Sequence, residues 1–329
     1  MLQRCYAMEQ QNRQQDNMEK HDSMQNDNLA GGFSRKAELP LFSLLIATCG
    51  RREQLANLLE SLRTQEFKNF EVLVGDQNPQ GYLDDTLNKY RQYFPVCVIT
   101  LPNPGVSAAR NALIEEANGL YIAFPDDDCV YYPDTLQKAF ELFNRERRVQ
   151  FFVARWGKKT PATNQDTASS SFLPRTKPLG MLGCFRNSNT YLLFFRAEAV
   201  ENIGLFDTSL GPGGSGLFAA SEDIDYVVRA LGKGCFAVKT DEVRVWHPQV
   251  DVGNEDLTVK NKTYSLSKMY LLHKYRLPLW FQLAHIVYPL LMLPFEGRRY
   301  FRYRLSMFKW RAIGFVLVRR RHGEDDEQP

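Results

Sequence analysis

Three consecutive aspartates, Asp126, Asp127 and Asp128, end a short apolar run at 120–124, Leu-Tyr-Ile-Ala-Phe. A run of that length bounded by turn residues reads as a buried strand. Carboxylates at its end add nothing to packing. In an open α/β sheet, however, the carboxyl ends of the strands face the ligand crevice. Extended backbone sends alternate side chains to one face, so Asp126 and Asp128 are predicted to converge, with Asp127 opposite. Two convergent carboxylates make a hard-oxygen site for Mg²⁺ or Mn²⁺ carrying substrate phosphates. A second acidic group, Ser221-Glu222-Asp223-Ile224-Asp225, opens a helical pattern that Gly232 can stop. Its simplest reading is a serine cap with acids complementing the helix dipole. The glycine-rich stretch 211–216 just upstream instead suits a loop that closes on ligands. His247 ends the late apolar run Val243-Arg-Val-Trp-His, immediately before Pro248.

These residues need a scaffold, and the preceding chain supplies one. The run at 42–47 stops at Thr48-Cys-Gly-Arg51, and 54–67 has leucines at helical spacing. Residues 70–74 form a second apolar run, stopped by the turn-rich segment 75–81. A helix at 83–93, a strand at 96–100, and a helix that Ser107 can cap, running through Asn118 and stopped by Gly119, lead into the aspartate strand. Residues 190–196 add a later strand. This alternation predicts an α/β fold with a mixed, mostly parallel sheet flanked by helices. Thr48 and Asp76 stand at two further strand ends on the same crevice.

The blocks Ser43-Leu-Leu-Ile-Ala-Thr-Cys-Gly-Arg51, Val72-Leu-Val-Gly-Asp76, Asn103-Pro-Gly-Val-Ser-Ala-Ala-Arg-Asn111 and Phe124-Pro-Asp-Asp-Asp128 occur in the order found in family 2 glycosyltransferases. The chain resembles that family, with its GT-A fold, across 41–247. The resemblance implies a nucleotide-sugar donor, a divalent metal (Mn²⁺ or Mg²⁺) and an inverting transfer. It implies donor contacts by Thr48, Arg51, Asp76, Arg110, Asn111, Asp126 and Asp127. Asp126 and Asp128 match the family's DxD motif as metal ligands, and the family pattern implies a third metal ligand or a diphosphate contact at His247. The Glu-Asp motif is the family's general base, which assigns the role to Asp223, with Glu222 second. Cys129 stands where a further aspartate is common.

The first 38 residues are polar and rich in Gln, Asn and Asp, too poor in apolar surface to offset ordering entropy. They are expected to be a disordered tail, followed by a catalytic domain at 39–250, a helical C-terminal extension at 251–321 and a tail at 322–329. No basic, apolar leader is visible, and six cysteines without paired spacing read as reduced thiols of the cytoplasm. The near-neutral balance, 41 basic against 38 acidic residues, hides a basic segment at 296–321. There Arg298, Arg299, Arg302, Arg304, Lys309, Arg311, Arg319, Arg320 and Arg321 interleave with aromatic residues. The apolar stretch 277–295 before it is broken by Pro278, Pro289 and Pro294. Together they predict a re-entrant or interfacial segment, peripheral or monotopic at the anionic inner face of the cell membrane, rather than a span. The alternative is helices packed on the catalytic domain with a solvated basic face. A saccharide or lipid-linked saccharide acceptor, in surface polysaccharide synthesis, follows from the resemblance and this tail. No nucleic-acid module is present.

Two rival readings follow from the same residues. Asp126-Asp-Asp-Cys-Val130 also fits the strand-end pattern of haloacid-dehalogenase phosphatases, with Asp126 as nucleophile. That motif normally follows the first strand, whereas three βα units precede it here. The other rival is a saccharide-binding scaffold without catalysis. A calcium loop is excluded because Tyr131 stands where its glycine is required.

Overall fold

The computed structural model describes residues 39–158, 175–214, 216–248, 256–296 and 300–325. The expected tail at 1–38 lies outside them, as do Arg298 and Arg299. Among the described residues nine strands form one sheet in the order β3-β2-β1-β4-β8-β6-β9-β5, with β7 (Thr176–Pro178) beside β9. The first four, β1 (Phe42–Thr48), β2 (Phe70–Asp76), β3 (Val96–Thr100) and β4 (Tyr121–Ala123), are mutually parallel. Helices α1 (Arg52–Arg63), α2 (Asp84–Tyr90) and α3 (Val106–Glu116) connect them. After β5 (Val130–Tyr131) and α4 (Thr135–Arg145), the sheet becomes mixed. β8 (Leu193–Arg196) runs antiparallel to β4 and β6 (Phe151–Gly157), and β9 (Ala237–Trp246) is parallel to β6. This is the expected α/β architecture.

β1 and β2 are nearly continuous apolar runs because helices cover both sheet faces. The later strands pair aromatic rings. Phe151 stacks on Phe195 at 4.9 Å and Phe152 on Phe194 at 5.0 Å, each across the β6–β8 ladder.

Two local readings change. Gly119 was expected as the stop of α3, but that helix ends at Glu116 with an extended residue after it. Glycine is needed at 119 because a Cβ there would lie 2.5 Å from the Ser43 backbone nitrogen. Ser107 was expected as a cap. It lies inside the helix, and its hydroxyl donates to the Leu210 carbonyl at 2.7 Å.

α5 (Met181–Asn187), α6 (Ala197–Ile203) and α7 (Glu222–Gly232) surround the far half of the sheet. α8 (Asp256–Lys274), α9 (Leu279–Leu291) and α10 (Phe301–Asp325) form the C-terminal helical region. Leu271, Leu272, Leu277 and Ile286 join the same apolar core as the sheet. One polar anchor fixes α8 to α7. The buried Asp225 carboxylate accepts from Arg229 (2.9 Å), Lys274 (2.9 Å) and Tyr275 (2.6 Å). Three donors are what a buried carboxylate requires. They hold α8 against the helix whose first turn carries Glu222 and Asp223.

Candidate active site

Sheet register brings the polar residues together. β1 and β2 pair Thr48 with Asp76, so both strand ends stand level. β1 pairs Leu44 with Ala123, the last residue of β4, and the turn beyond that strand brings Asp127 beside Thr48. On the other side, β5 pairs Val130 with Trp246 antiparallel. The next residues outward are Cys129 and His247, which delivers the imidazole to the aspartates.

The aspartates converge, but not by strand alternation. β4 ends at Ala123, and the triplet lies in a turn closed by the Cys129 N–H donating to the Asp126 carbonyl at 3.0 Å. Asp126, Asp128 and His247 each present a ligand atom within 4.8 Å of the others. His247 Nε2 is 3.0 Å from Asp128 Oδ1 and 4.0 Å from Asp126 Oδ2. Asp127 turns away, and Arg51 Nη1 binds its Oδ1 at 2.9 Å and Asp128 Oδ2 at 3.0 Å. Thr48 Oγ1 is buried beside Asp127 without a well-aligned hydrogen bond.

Arg110 is the hub of the site. Its side chain is 4% exposed. Its Nη2 donates to Asp126 Oδ1 (3.0 Å) and Thr190 (2.8 Å), and its Nη1 to Glu222 Oε1 (3.0 Å). One guanidinium thus joins the triplet to the Glu-Asp motif across the crevice. Breaking a buried pair of this kind typically costs about 3–5 kcal/mol. The Arg51 pairs are different: that side chain is 47% exposed, and such pairs are worth about 0–1 kcal/mol. Arg51 is releasable and Arg110 is not.

The remaining predicted residues divide. Asn111 spends both ends of its amide on the Phe206 backbone, at 3.0 and 2.7 Å. Asp76 accepts twice from Asn78, and the Asn78 side chain in turn accepts from the Gly50 N–H. These contacts lock two strand-end loops together. Asp223 keeps an accessible edge and accepts from the Ile224 N–H at 2.7 Å. Ser221 precedes α7 with φ 65° and makes no cap bond. A left-handed serine is uncommon and marks local strain at this motif. Gly211 has φ +89°, and a Cβ there would meet Val106 at 2.8 Å and Glu222 at 3.1 Å. Gly211 therefore serves close packing against α3 and Glu222. Tyr191 stacks on His247 at 4.4 Å. Neither Tyr191 nor Thr190 carried a motif by which sequence reading would find it.

Electrostatics shows an excess of negative charge. Burial pushes Asp126 and Asp127 above the usual carboxylate range despite Arg110 and Arg51 beside them. Burial also acts to raise Asp128, but the His247 hydrogen bond and charge and then Arg51 outweigh it and hold it low. Burial and then neighbouring Glu222 push Asp223 up to about 7. A divalent cation fits these residues. Asp128 Oδ1 is buried and, although 3.0 Å from His247 Nε2, receives no well-aligned hydrogen bond. The His247 Nδ1 lies 2.8 Å from the Pro248 carbonyl. With the proton on Nδ1 the Nε2 lone pair would face the carboxylates, as in a metal-ligating histidine. Without a metal, burial acts to lower the imidazole, but Asp128 and then Asp126 outweigh it and hold the group above its ordinary value, favouring its charged form.

The glycosyl transferase family 2 model matches residues 43–202. Among curated relatives, the Escherichia coli UDP-Glc:alpha-D-GlcNAc-diphosphoundecaprenol beta-1,3-glucosyltransferase WfaP is 26% identical over 33% of this chain and 43% of its own length. The glycosyltransferase AglE of Haloferax volcanii is 23% identical over 76% of this chain and 83% of its own. The chain spans less than half the length of several such relatives, 43% of WfaP and 45% of the Bacillus subtilis putative teichuronic acid biosynthesis glycosyltransferase TuaG. Solved structures share the fold. S. aureus TarS aligns over 85% of this chain and 91% of its own, with TM-score 0.51 and 18% identity. A mannosyltransferase from Pyrobaculum calidifontis, in complex with GDP-Man and Mn²⁺, aligns over 89% and 77%, with TM-score 0.56 and 11% identity. The ordered strand-end motifs, the mixed sheet and the match over 43–202 together support a family 2 glycosyltransferase.

Proposed function

We propose that the chain is a metal-dependent inverting glycosyltransferase, moving a sugar from a nucleotide-sugar donor to a lipid-linked saccharide in surface polysaccharide assembly. One observation carries this reading: Arg110 ties the Asp126–Asp128–His247 group to the Glu222–Asp223 motif across a single crevice. A donor site and a base therefore face the same space. Asp126, Asp128 and His247 would hold Mn²⁺ or Mg²⁺, which as a Lewis acid neutralises charge on the departing diphosphate. Thr48, Asp76 and Arg51 line the strand ends where the nucleotide would sit. Arg110 fixes Asp126 and Glu222. Glu222 is held by that guanidinium, which leaves Asp223 as the accessible base. Asp223 would take the acceptor hydroxyl proton as that oxygen bonds to the anomeric carbon and the bond to the phosphate oxygen breaks on the opposite face. The transition state is oxocarbenium-like. TarS structures with UDP and UDP-GlcNAc support a donor of this class. The phosphatase reading loses support, since Asp126 Oδ1 is bound to Arg110.

The test is stereochemical. Nucleotide-activated α-sugars incubated with the chain, metal and acceptor should yield nucleoside diphosphate and a β-linked product, read from the anomeric NMR coupling. Retention of configuration, or phosphate release from generic phosphoesters without a donor, would exclude the proposal.

The same reading places the chain on the cytoplasmic membrane face. Among the described residues no helix is long and apolar enough to cross a membrane. At about 1.5 Å per residue, α9 with its 13 residues is too short for a ~30 Å core. Yet Leu279, Trp280, Leu283, Val287 and Leu291 on α9 are exposed, and Phe295 beyond it is 82% exposed. Gln282, Ile286 and Pro289 face inward. Exposed Arg302, Lys309 and Arg320 lie on α10. An apolar face flanked by basic residues suits an anionic interface. The full chain is expected to pellet with anionic vesicles and to be only partly released by salt, which screens about 1 kcal/mol per basic residue. Replacing Trp280 and Phe295 by Ser should remove the salt-resistant fraction. Equal partitioning of both proteins into the supernatant at low salt would contradict this placement.

A further inference from the structure

The C-terminal helices carry a buried and a half-buried cation that the proposed transfer chemistry does not use. Lys268 lies on α8 and Arg311 on α10. Lys268 Nζ donates to the Phe185 carbonyl at 2.9 Å. Arg311 Nη1 donates to the His285 carbonyl at 2.7 Å. The Phe185 and His285 rings are themselves in contact at 6.0 Å, so both cations converge on one junction between α5, α8, α9 and α10. Gly314 brings the helices this close: a Cβ there would meet Met269 at 3.1 Å and Leu266 at 3.3 Å. Arg311 is one turn before Gly314, and Lys268 is next to Met269.

Neither cation has a carboxylate within ion-pair distance among the described residues. Arg311 is 6% exposed, and its Nε is buried without a hydrogen-bond partner. A buried and a half-buried cation side by side, bonded to carbonyls, are an unfavourable arrangement unless an anion completes it. Burial and the Arg311 charge pull Lys268 down to about 8, and burial pulls Arg311 down to about 10. Both therefore stay largely charged near neutrality. Lys268 keeps some accessible surface, which gives an anion an approach.

This junction adjoins the proposed base. Lys268 and Cys184 both sense the charge of Asp223. Tyr264, one helical turn before Lys268 and on the same face of α8, is exposed as a residue. Burial raises its hydroxyl, and Glu222, Asp223 and Asp126 raise it further. Geometry makes the same link: Lys268 reaches the Phe185 carbonyl of α5, and α5 packs on α7, whose first turn carries Asp223.

We infer that Lys268 and Arg311 form an anion subsite that takes a phosphoryl group of the acceptor, presenting the acceptor's sugar hydroxyl to Asp223. This rests on the proposed transfer and deepens it: the acceptor would be a saccharide joined to its carrier through phosphate or diphosphate. Lys268 reaches α5, which packs on the helix carrying the base, and Arg311 reaches α9, the helix with the apolar face.

The test uses inorganic pyrophosphate with the full chain in EDTA, so neither turnover nor metal is needed. Thermal unfolding of the wild type should shift upward by about 5 °C at a 100-fold excess over Kd. Sulfate at equal ionic strength should not reproduce the shift. Lys268→Met keeps the aliphatic stem and should abolish it, as should Arg311→Gln. Asp128→Ala should retain it. If Arg311→Gln does not fold, Lys268→Met decides alone. Binding of Lys268→Met to anionic vesicles should equal the wild type, because the headgroup contacts lie on the outer face. In transfer assays Lys268→Met should raise KM for a phosphate-bearing acceptor at least tenfold while leaving donor binding intact. An absent pyrophosphate shift in the wild type, an equal shift in Lys268→Met or with sulfate, or lost vesicle binding in Lys268→Met would each overturn the assignment. A pyrophosphate response without any sugar transfer would instead fault the transfer reading and leave the subsite standing.

Discussion

Asp223→Asn is expected to lower turnover by about 10²–10⁴-fold, the usual cost of losing a general base. Donor affinity should survive, because Asp223 is not among the residues that converge on the aspartate turn. The pH profile carries more information than the rate. Burial, then Glu222, raises Asp223 to about 7, and a base must be deprotonated to act. The acid limb of kcat/KM should therefore rise through about pH 7, and the Asn variant should lose that limb. Stability has the opposite sign. A carboxyl group with a raised folded pKa stabilises the fold most below its unfolded value near 3.9, and that stability is lost as pH rises through 7. Asn cannot ionise and can still accept from the Ile224 N–H. The variant should consequently melt above the wild type at pH 8 and no higher at pH 4. A variant that loses donor binding, with turnover lost instead in Glu222→Gln, would reverse the two roles.

The parallel half of the sheet was legible because β1 and β2 are continuous apolar runs ended by turn residues, a pattern set by burial on both faces. The aspartate site was legible for a different reason than its geometry. Sequence reading assumed extended backbone through Asp128, whereas the strand stops at Ala123 and a turn aims the side chains. The convergence survives because cross-strand register, not alternation, places His247 beside Asp128. The bridging role of Arg110 was hidden, since its partners Asp126, Thr190 and Glu222 lie 16, 80 and 112 residues away. Asn111 shows the converse: a residue in a donor-lining motif has both amide ends bonded to the Phe206 backbone. Lys268 and Arg311 sat unremarkably in helical, basic sequence. Only the close crossing at Gly314 makes them neighbours.

Asp128→Ala is expected to abolish transfer, and it bears most directly on the central claim that Asp126, Asp128 and His247 hold a metal that binds the donor diphosphate. The buried, unaligned Asp128 Oδ1 and the Nε2 of His247 are the atoms at issue. The substitution removes one carboxylate from a site already over-supplied with negative charge. The fold should persist, because the core beneath is apolar and Arg110 keeps its contacts to Asp126 and Glu222. The decisive measurement is thermal unfolding of wild type and Asp128→Ala with nucleoside diphosphates, each with Mn²⁺ and with EDTA. At 100-fold excess over Kd the wild type should gain about 2.7 kcal/mol with at least one nucleotide, and only when Mn²⁺ is present. Asp128→Ala should gain little under any condition while melting cooperatively on its own. Stabilisation of the wild type by nucleotide in EDTA, or equal Mn²⁺-dependent stabilisation of both proteins, would contradict the metal site.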